Sequence, residues 1–274
     1  MTPPRRVSRF DLHLHSNRSD GRHAPEDVLR RCAQGGLDFV ALTDHDLSTS
    51  LPTGEVRLGD RTVRVIGGAE MSGVHEGREY HLLVYFPDQV PHEFAIFCAH
   101  RARARAERYA AAVDRLALPG LARPDDAAFA GERALTRHHL ARDLVRAGHA
   151  NDLRDAFRRY ADTSHGFVQT VDLPFIDAIA AARAAGGLTA WAHPPLPALR
   201  AHLPTFVDAG LQAVEVWRPM LSSADRRRVR EEAKRHGLLA TGGSDWHGWA
   251  GESEPGTFAV ELDQIKPFLD ALVA

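Results

Sequence analysis

Five apolar, strand-like runs in this 274-residue chain end in histidine or carboxylate: residues 7–15, 37–44, 62–70, 188–193 and 238–247. A sixth, 79–86, carries His81. In a barrel of parallel strands the reactive side chains sit at the C-terminal strand ends. Placing His, Asp and Glu there so often points to a polynuclear metal centre. His13 and His15 are two apart on a strand and face the same side, as do Asp245 and His247. A carboxylate such as Glu70 can bridge two cations. Mixed His and carboxylate donors suit Zn, Mn or Fe better than Ca or Mg alone.

The pattern between these runs gives the organisation. Residues 25–34 read as a helix, with Pro25 in the first turn and Gly35-Gly36 as its stop. Residues 46–61 read as a loop in place of a crossover helix. From about 92 to 165 the pattern is helical: one long helix over 92–116, a second over 136–147 capped by Thr136, and a third over 151–161 capped by Asn151. Strand–helix alternation resumes at 175 and closes with a strand over 257–262 and a short helix. This predicts an α/β barrel built from 1–98 and 166–274, with a helical insertion over 99–165 that recognises substrate. Residues 101–160 hold 13 Arg and no Lys against 8 acids, a local +5 in a chain whose net charge is −2. Arg grips phosphate bidentately, although a GC-rich genome alone would favour Arg. Two cysteines, Cys32 and Cys98, read as core residues in a reducing cytoplasm. No signal region, membrane span or obligate protein partner is expected.

The ordered set Asp11-Leu-His13-Leu-His15-Ser16, Thr43-Asp44-His45, Gly68-Ala-Glu70-Met-Ser72, His81-Leu-Leu-Val-Tyr85, Ala192-His193-Pro194 and Gly243-Ser-Asp245-Trp-His247 closely resembles the polymerase and histidinol phosphatase (PHP) family. The resemblance implies a distorted (β/α)7 barrel holding two or three divalent ions. It implies a first metal on His13, His15, Glu70 and Asp245, and a second on Glu70, His81 and His193, with Glu70 bridging. A third would lie on Asp20, His45 and His247, and Asp44 would support the ligands or join them occasionally. The insertion resembles the nucleotide phosphatase and 5′-exoribonuclease branch through Arg105-x-x-Arg108 and Arg137-His-His139-Leu-Ala. That likeness implies substrate contacts from Arg105, Arg108, Arg137 and His139. For Arg137 and His139 a helix cap and a packing contact explain the residues equally well. The branch's Gly and Pro are replaced by Thr136 and His138, and its Gly-Lys-Pro by Ser164-His165-Gly-Phe167.

The expected activity is hydrolysis of a nucleotide phosphate monoester by a hydroxide held between metals at Glu70, with His247 and Arg137 assisting. Mononucleotides should be hydrolysed faster than 5′-phosphorylated oligonucleotides, because aromatics are only 7% of the chain and oligonucleotide tracks use stacking platforms. Trp217 and Trp246 are candidates to stack one base; Trp191 reads as barrel packing. The alternatives are a histidinol-phosphate-type phosphatase, an amidohydrolase and a non-catalytic metal-binding regulator. Many amidohydrolases bridge metals with a modified lysine, and neither Lys234 nor Lys266 ends a strand.

Overall fold

The computed structural model describes residues 8–273; Val7, where the first strand was expected to begin, and residues 1–6 lie outside the described residues. The strands are β1 (Arg9–Leu14), β2 (Phe39–Leu42), β3 (Gly54–Leu58), β4 (Arg61–His75), β5 (Arg78–Phe86), β6 (Leu188–Trp191), β7 (Ala213–Trp217), β8 (Leu239–Gly242) and β9 (Val260–Glu261). They form one sheet in the order β8-β7-β6-β5-β4-β2-β1-β9, with β3 hanging from β4. Seven of them curl into a wall. It closes where the chain beyond β8 meets β1: the His15 N–H donates to the Trp246 carbonyl and the Asp245 N–H to the His13 carbonyl, each at 2.9 Å. The result is a distorted seven-stranded α/β barrel. Strand β6, Leu-Thr-Ala-Trp, is buried at every position, as a strand covered on both faces must be.

The helices are α1 (Pro25–Gln34), α2 (His92–Leu116), α3 (Asp126–Phe129), α4 (Arg137–Arg146), α5 (Leu153–Ala156), α6 (Phe175–Ala184), α7 (Leu196–Asp208), α8 (Ser223–Arg235) and α9 (Leu262–Leu272). Helix α2 crosses the expected barrel–insertion boundary without a break. Its Phe94 and Cys98 pack into the barrel core with Met71 and Phe175. Its later turns, Ala106 to Leu116, pack with Leu140, Leu144 and Val168 in a separate apolar cluster. One continuous helix therefore carries the insertion over the barrel mouth. Cys32 and Cys98 are free and buried, and Trp191 is core packing against Phe206 and Tyr80. Among the described residues no helix is long and apolar enough to cross a membrane.

Three expectations need correction. The segment 46–61 is not all loop: β3 pairs antiparallel with β4, from Gly54 opposite Val65 to Leu58 opposite Arg61. Gly59, at φ 63°, makes that tight turn. The barrel is also not wholly parallel. Strand β4 runs past Glu70 to His75, turns through Glu76 and Gly77 at φ 48° and 74°, and returns as antiparallel β5. Glu70 is therefore a mid-strand residue. His81 lies near the start of β5, opposite Ser72, and the reversed direction brings it to the same end of the barrel. Finally, Asp152 rather than Asn151 caps α5, accepting from the Asp155 N–H, and the helix continues as one π turn over Phe157–Ala161.

Candidate metal centre

The sequence-predicted ligands converge on Glu70, which is fully buried. One of its carboxylate oxygens lies 3.4 Å from His13 Nε2, 3.0 Å from His81 Nδ1 and 3.0 Å from His193 Nε2. The other lies 3.3 Å from His15 Nε2 and 3.0 Å from His45 Nδ1. Asp245 Oδ1 adds contacts of 3.3 Å to His13 and 3.2 Å to His15. Asp20 lies 3.6 Å from His45 and 3.3 Å from His247. Donor atoms within 4.8 Å of one another fall into four groups: His15, Asp20, His45 and His247; His13, His15 and Asp245; His13, Glu70 and His193; and His45, Glu70 and His81. The grouping differs from the family-based one, since His81 falls with His45 and His193 with His13.

Backbone geometry builds this convergence. Asp245 and His193 have φ of 57° and 31°, left-handed values that non-glycine residues adopt at a cost of about 1–3 kcal/mol. That strain turns both side chains inward just beyond their strands. Gly243 makes room for the approach of the chain beyond β8 to β1: a Cβ there would lie 2.4 Å from the His13 backbone nitrogen.

The donor set fits metal ions. His13 Nε2, His15 Nε2, Asp20 Oδ1, His45 Nδ1, Glu70 Oε2 and His81 Nδ1 are buried and make no hydrogen bond. Yet several lie 3.0–3.4 Å apart. Lone pairs aimed at a shared centre, rather than at donors, call for a cation, since a buried polar atom without a partner costs about 1–3 kcal/mol.

The electrostatics agree. Burial pushes the Glu70 carboxyl up, but the imidazoles of His45, His81 and His13 outweigh it and hold the carboxyl well below its usual range. Burial lowers His13, while Asp245, Glu70 and Glu215 raise it further, leaving it well above an ordinary imidazole. His15 follows the same logic and reaches about 10 through Asp245 and Glu70. The carboxylates thus draw positive charge into this centre, which a bound cation would supply.

Several residues that support the site were missed by the sequence reading. Glu215, fully buried in the middle of β7, accepts from His13 Nδ1 at 2.9 Å and from the His193 N–H at 2.7 Å. Its signal was a lone carboxylate in the apolar strand Ala-Val-Glu-Val-Trp. Asp11 accepts from the Ser244 N–H at 2.8 Å, which fixes the turn before Asp245; burial raises its carboxyl to about 7. Asp44 is not in the converging groups. Its oxygens accept from the Ser16 N–H, the Ser16 hydroxyl and the Ser19 hydroxyl at 2.6–2.8 Å, bracing the loop that carries Asp20.

The insertion's residues divide. Arg137, the first residue of α4, and Arg108 line a cavity of about 170 Å³ with Asp20, His45 and His81. Both arginines face Glu79, at 3.9 and 3.3 Å. Burial raises the Glu79 carboxyl, but the His81 ring, 3.7 Å away, and the charges of Arg108, Arg105 and Arg137 hold it well below its usual range. Arg105 also lines that cavity, but it is 4% exposed and its guanidinium is already engaged, donating to Asp46 at 2.5 Å and to the Ser72 hydroxyl at 2.6 Å. His139 closes a capping box, its Nδ1 accepting from the Thr136 N–H at 3.1 Å. The expected helper His247 has Nε2 against Asp20 and Nδ1 2.8 Å from the Asp245 carbonyl, so both ring nitrogens are engaged. His138, given no role from sequence, lines the same cavity, and its Nδ1 is buried without a hydrogen-bond partner.

Comparison with known proteins identifies the family. Residues 11–166 match the PHP domain model. The chain is 33% identical over 247 residues to the phosphoribosyl 1,2-cyclic phosphate 1,2-diphosphodiesterase of Eggerthella lenta, covering 87% of this chain and 94% of that one. It is 30% identical over 252 residues to the 5′-3′ exoribonuclease Rnm of Salmonella typhimurium, covering 87% and 85%. It is 30% identical over 250 residues to the 3′,5′-nucleoside bisphosphate phosphatase of Chromobacterium violaceum, covering 88% of each. A solved structure from Bifidobacterium adolescentis, described as a candidate metal-dependent phosphoesterase, superposes with a TM-score of 0.75 at 27% identity over 96% of both chains. With a family match over more than half its length and relatives at 30% identity or more across most of both chains, this protein belongs to the PHP domain family.

Proposed function

We propose that the chain hydrolyses phosphate monoesters of nucleotides, either free or at the 5′ end of a short oligonucleotide, with two or three divalent ions held at the barrel end. The observation that carries this is the set of buried donor atoms around Glu70 that lack hydrogen-bond geometry, beside a cavity lined by Arg108 and Arg137. His13, His15, Asp245 and Glu70 would hold one ion, with His193 joining from the Glu70 side. Glu70, His45 and His81 would hold another, and Asp20 and His247 would complete a third group with His15 and His45. Bound Mn, Zn or Fe supplies Lewis acidity toward phosphoryl oxygens and acidifies water.

The protein's own groups do the rest. Arg137 sits at a helix N-terminus, where backbone N–H groups and a guanidinium together receive an anion. Glu79 holds Arg108 and Arg137 in place until phosphate takes their charge. His138 lines the same cavity and its Nδ1 has no hydrogen-bond partner, which makes its ring a candidate to exchange a proton with a leaving alcohol. Substrates of the relatives, a cyclic ribose phosphate, a nucleoside bisphosphate and RNA by name, share a phosphorylated ribose. The amidohydrolase reading loses support: Lys234 lies in the last turn of α8, and Lys266 in α9 bonds Asp270, so neither reaches Glu70. Free, buried cysteines suit a reducing cytoplasm.

The test is phosphate release from a panel of esters by protein reconstituted with Mn²⁺, alongside metal analysis. Nucleotides should be hydrolysed faster than histidinol phosphate, and chelation should abolish turnover reversibly. Metal-loaded protein that releases no phosphate from any nucleotide would refute the reading.

A further inference from the structure

The metal cavity does not end at its arginines. His138 lines it on one side and, on the other, lines an apolar cavity of about 480 Å³ with Val145, Leu153 and Trp249. Trp249 and Arg142 in turn line a third space of about 610 Å³ that includes Arg22 and Arg146. The three spaces therefore adjoin through shared walls and lead away from Glu70. The rings along the way form a row: Phe157 lies 6.2 Å from His138, and His138 lies 6.4 Å from Trp249. The Arg142 guanidinium sits 3.5 Å over the Trp249 ring. Arg22 and Arg142 make no ion pair with a carboxylate among the described residues, whereas Arg133 and Arg146 are paired with Asp125 and Asp143. Glu252, a carboxylate on the apolar wall, is taken up by the N–H groups of His247 and Gly248.

Guanidiniums without carboxylate partners beside a row of tilted rings offer the two elements that single-stranded nucleic acid uses: the backbone follows the charge and bases stack on aromatic faces. A mononucleotide bound at the metals would leave this surface unused. We infer that Arg142, Trp249 and the apolar cavity bounded by Leu153 form a subsite for the nucleotides that follow the 5′-terminal one, making a 5′-phosphorylated oligonucleotide the preferred substrate. This rests on the proposed phosphoesterase reading and reverses the mononucleotide preference expected from aromatic content. The aromatics are few but gathered in one place.

Trp249 also donates its Nε1–H to the Asp20 carbonyl at 2.9 Å, so replacing it would disturb the metal loop. The test uses Arg142→Gln and Leu153→Asp instead; Leu153 opens α5 and is 37% exposed, so an acid is tolerated there. Each variant should lower kcat/KM on a 5′-phosphorylated RNA pentanucleotide by about tenfold, the scale of one base stack or phosphate contact. Hydrolysis of mononucleotides should change less than about twofold, and Arg142→Gln should reduce the salt slope of pentanucleotide binding by about one. Equal losses on both substrates, or on neither, would overturn the subsite. Binding of a fluorescent pentanucleotide to chelator-treated protein separates the two readings. If the wild type hydrolyses no nucleotide but Arg142→Gln still weakens binding about tenfold, the activity reading fails and the subsite stands. If binding is unchanged, the subsite fails.

Discussion

The barrel end and the helical insertion both bury charge, but they handle it in opposite ways. Around Glu70, its Oε2 and the facing nitrogens of His13, His15, His45 and His81 make no hydrogen bond; Oε1 has one, with His193 Nε2. Their outward atoms are anchored, as His13 Nδ1 is by Glu215. Where the insertion meets the barrel, buried charge is closed into a bonded set: Arg105 with Asp46 and the Ser72 hydroxyl. The first arrangement is incomplete without an added cation, and the second is complete as it stands. The difference separates atoms held for a ligand from atoms held for the fold, and four measurements can break or sharpen it.

The largest effect is expected at Glu70. Its two oxygens face five imidazoles, so Glu70→Gln should disturb more than one ion at once. Turnover should fall at least about a thousandfold, roughly 4 kcal/mol of transition-state stabilisation, and metal content should drop with it. Near-normal kcat with full metal content would mean that the centre is organised around another residue.

The converging side chains were legible in the sequence because a strand's two-residue period puts His13 beside His15, and because polar side chains at the ends of apolar runs are conspicuous. Glu215 was not, since a single carboxylate inside a buried strand has no local signature; its partners come from β1 and from the chain beyond β6. Glu70 was expected to end its strand, but the chain runs on to His75 and returns through the Glu76–Gly77 turn, which is what brings His81 beside it. Arg105 and Arg108 are indistinguishable by spacing. Which one is spent on Asp46 depends on a contact 59 residues away in sequence.

Arg105 is the next test of the contrast. Arg105→Met leaves Asp46 buried and unpaired, which should cost about 3–5 kcal/mol of stability. For a chain of this size that corresponds to roughly 10 °C in Tm. Adding Asp46→Leu should recover part of the loss, because the uncompensated charge is then gone. If Tm holds and only KM rises, Arg105 meets substrate and the division between the two regions is drawn in the wrong place.

A smaller effect is expected behind the metal centre. Glu215 is fully buried, and it orients His13 and fixes the His193 backbone. Glu215→Gln keeps the shape and one acceptor but loses the charge. Metal affinity should fall about 10- to 100-fold, as it does when a carboxylate behind a ligating histidine is removed. Thermal stability of the metal-free protein should fall by less than in Arg105→Met. Unchanged metal affinity would show that the anchored outer atoms are incidental to the inner ones.

The smallest effect belongs to the insertion's own cap. His139 Nδ1 accepts from the Thr136 N–H, which requires a neutral ring, and burial lowers its pKa to about 4. In the unfolded chain the ring titrates near about 6.5. Between those values the unfolded state binds more protons, so folding loses stability as pH falls through the window from about 6.5 to 4. From pH 7 to pH 5.5 the loss should be about 1 kcal/mol, read as faster amide exchange in α4. His13, His15 and His81, whose pKa values are raised, push the whole protein the other way. The measurement is therefore a difference against His139→Gln, which can reach back to the same N–H and does not titrate. If wild type and variant show the same pH slope in α4, His139 is not held neutral as a cap, and its ring is free for the substrate contact that the sequence suggested.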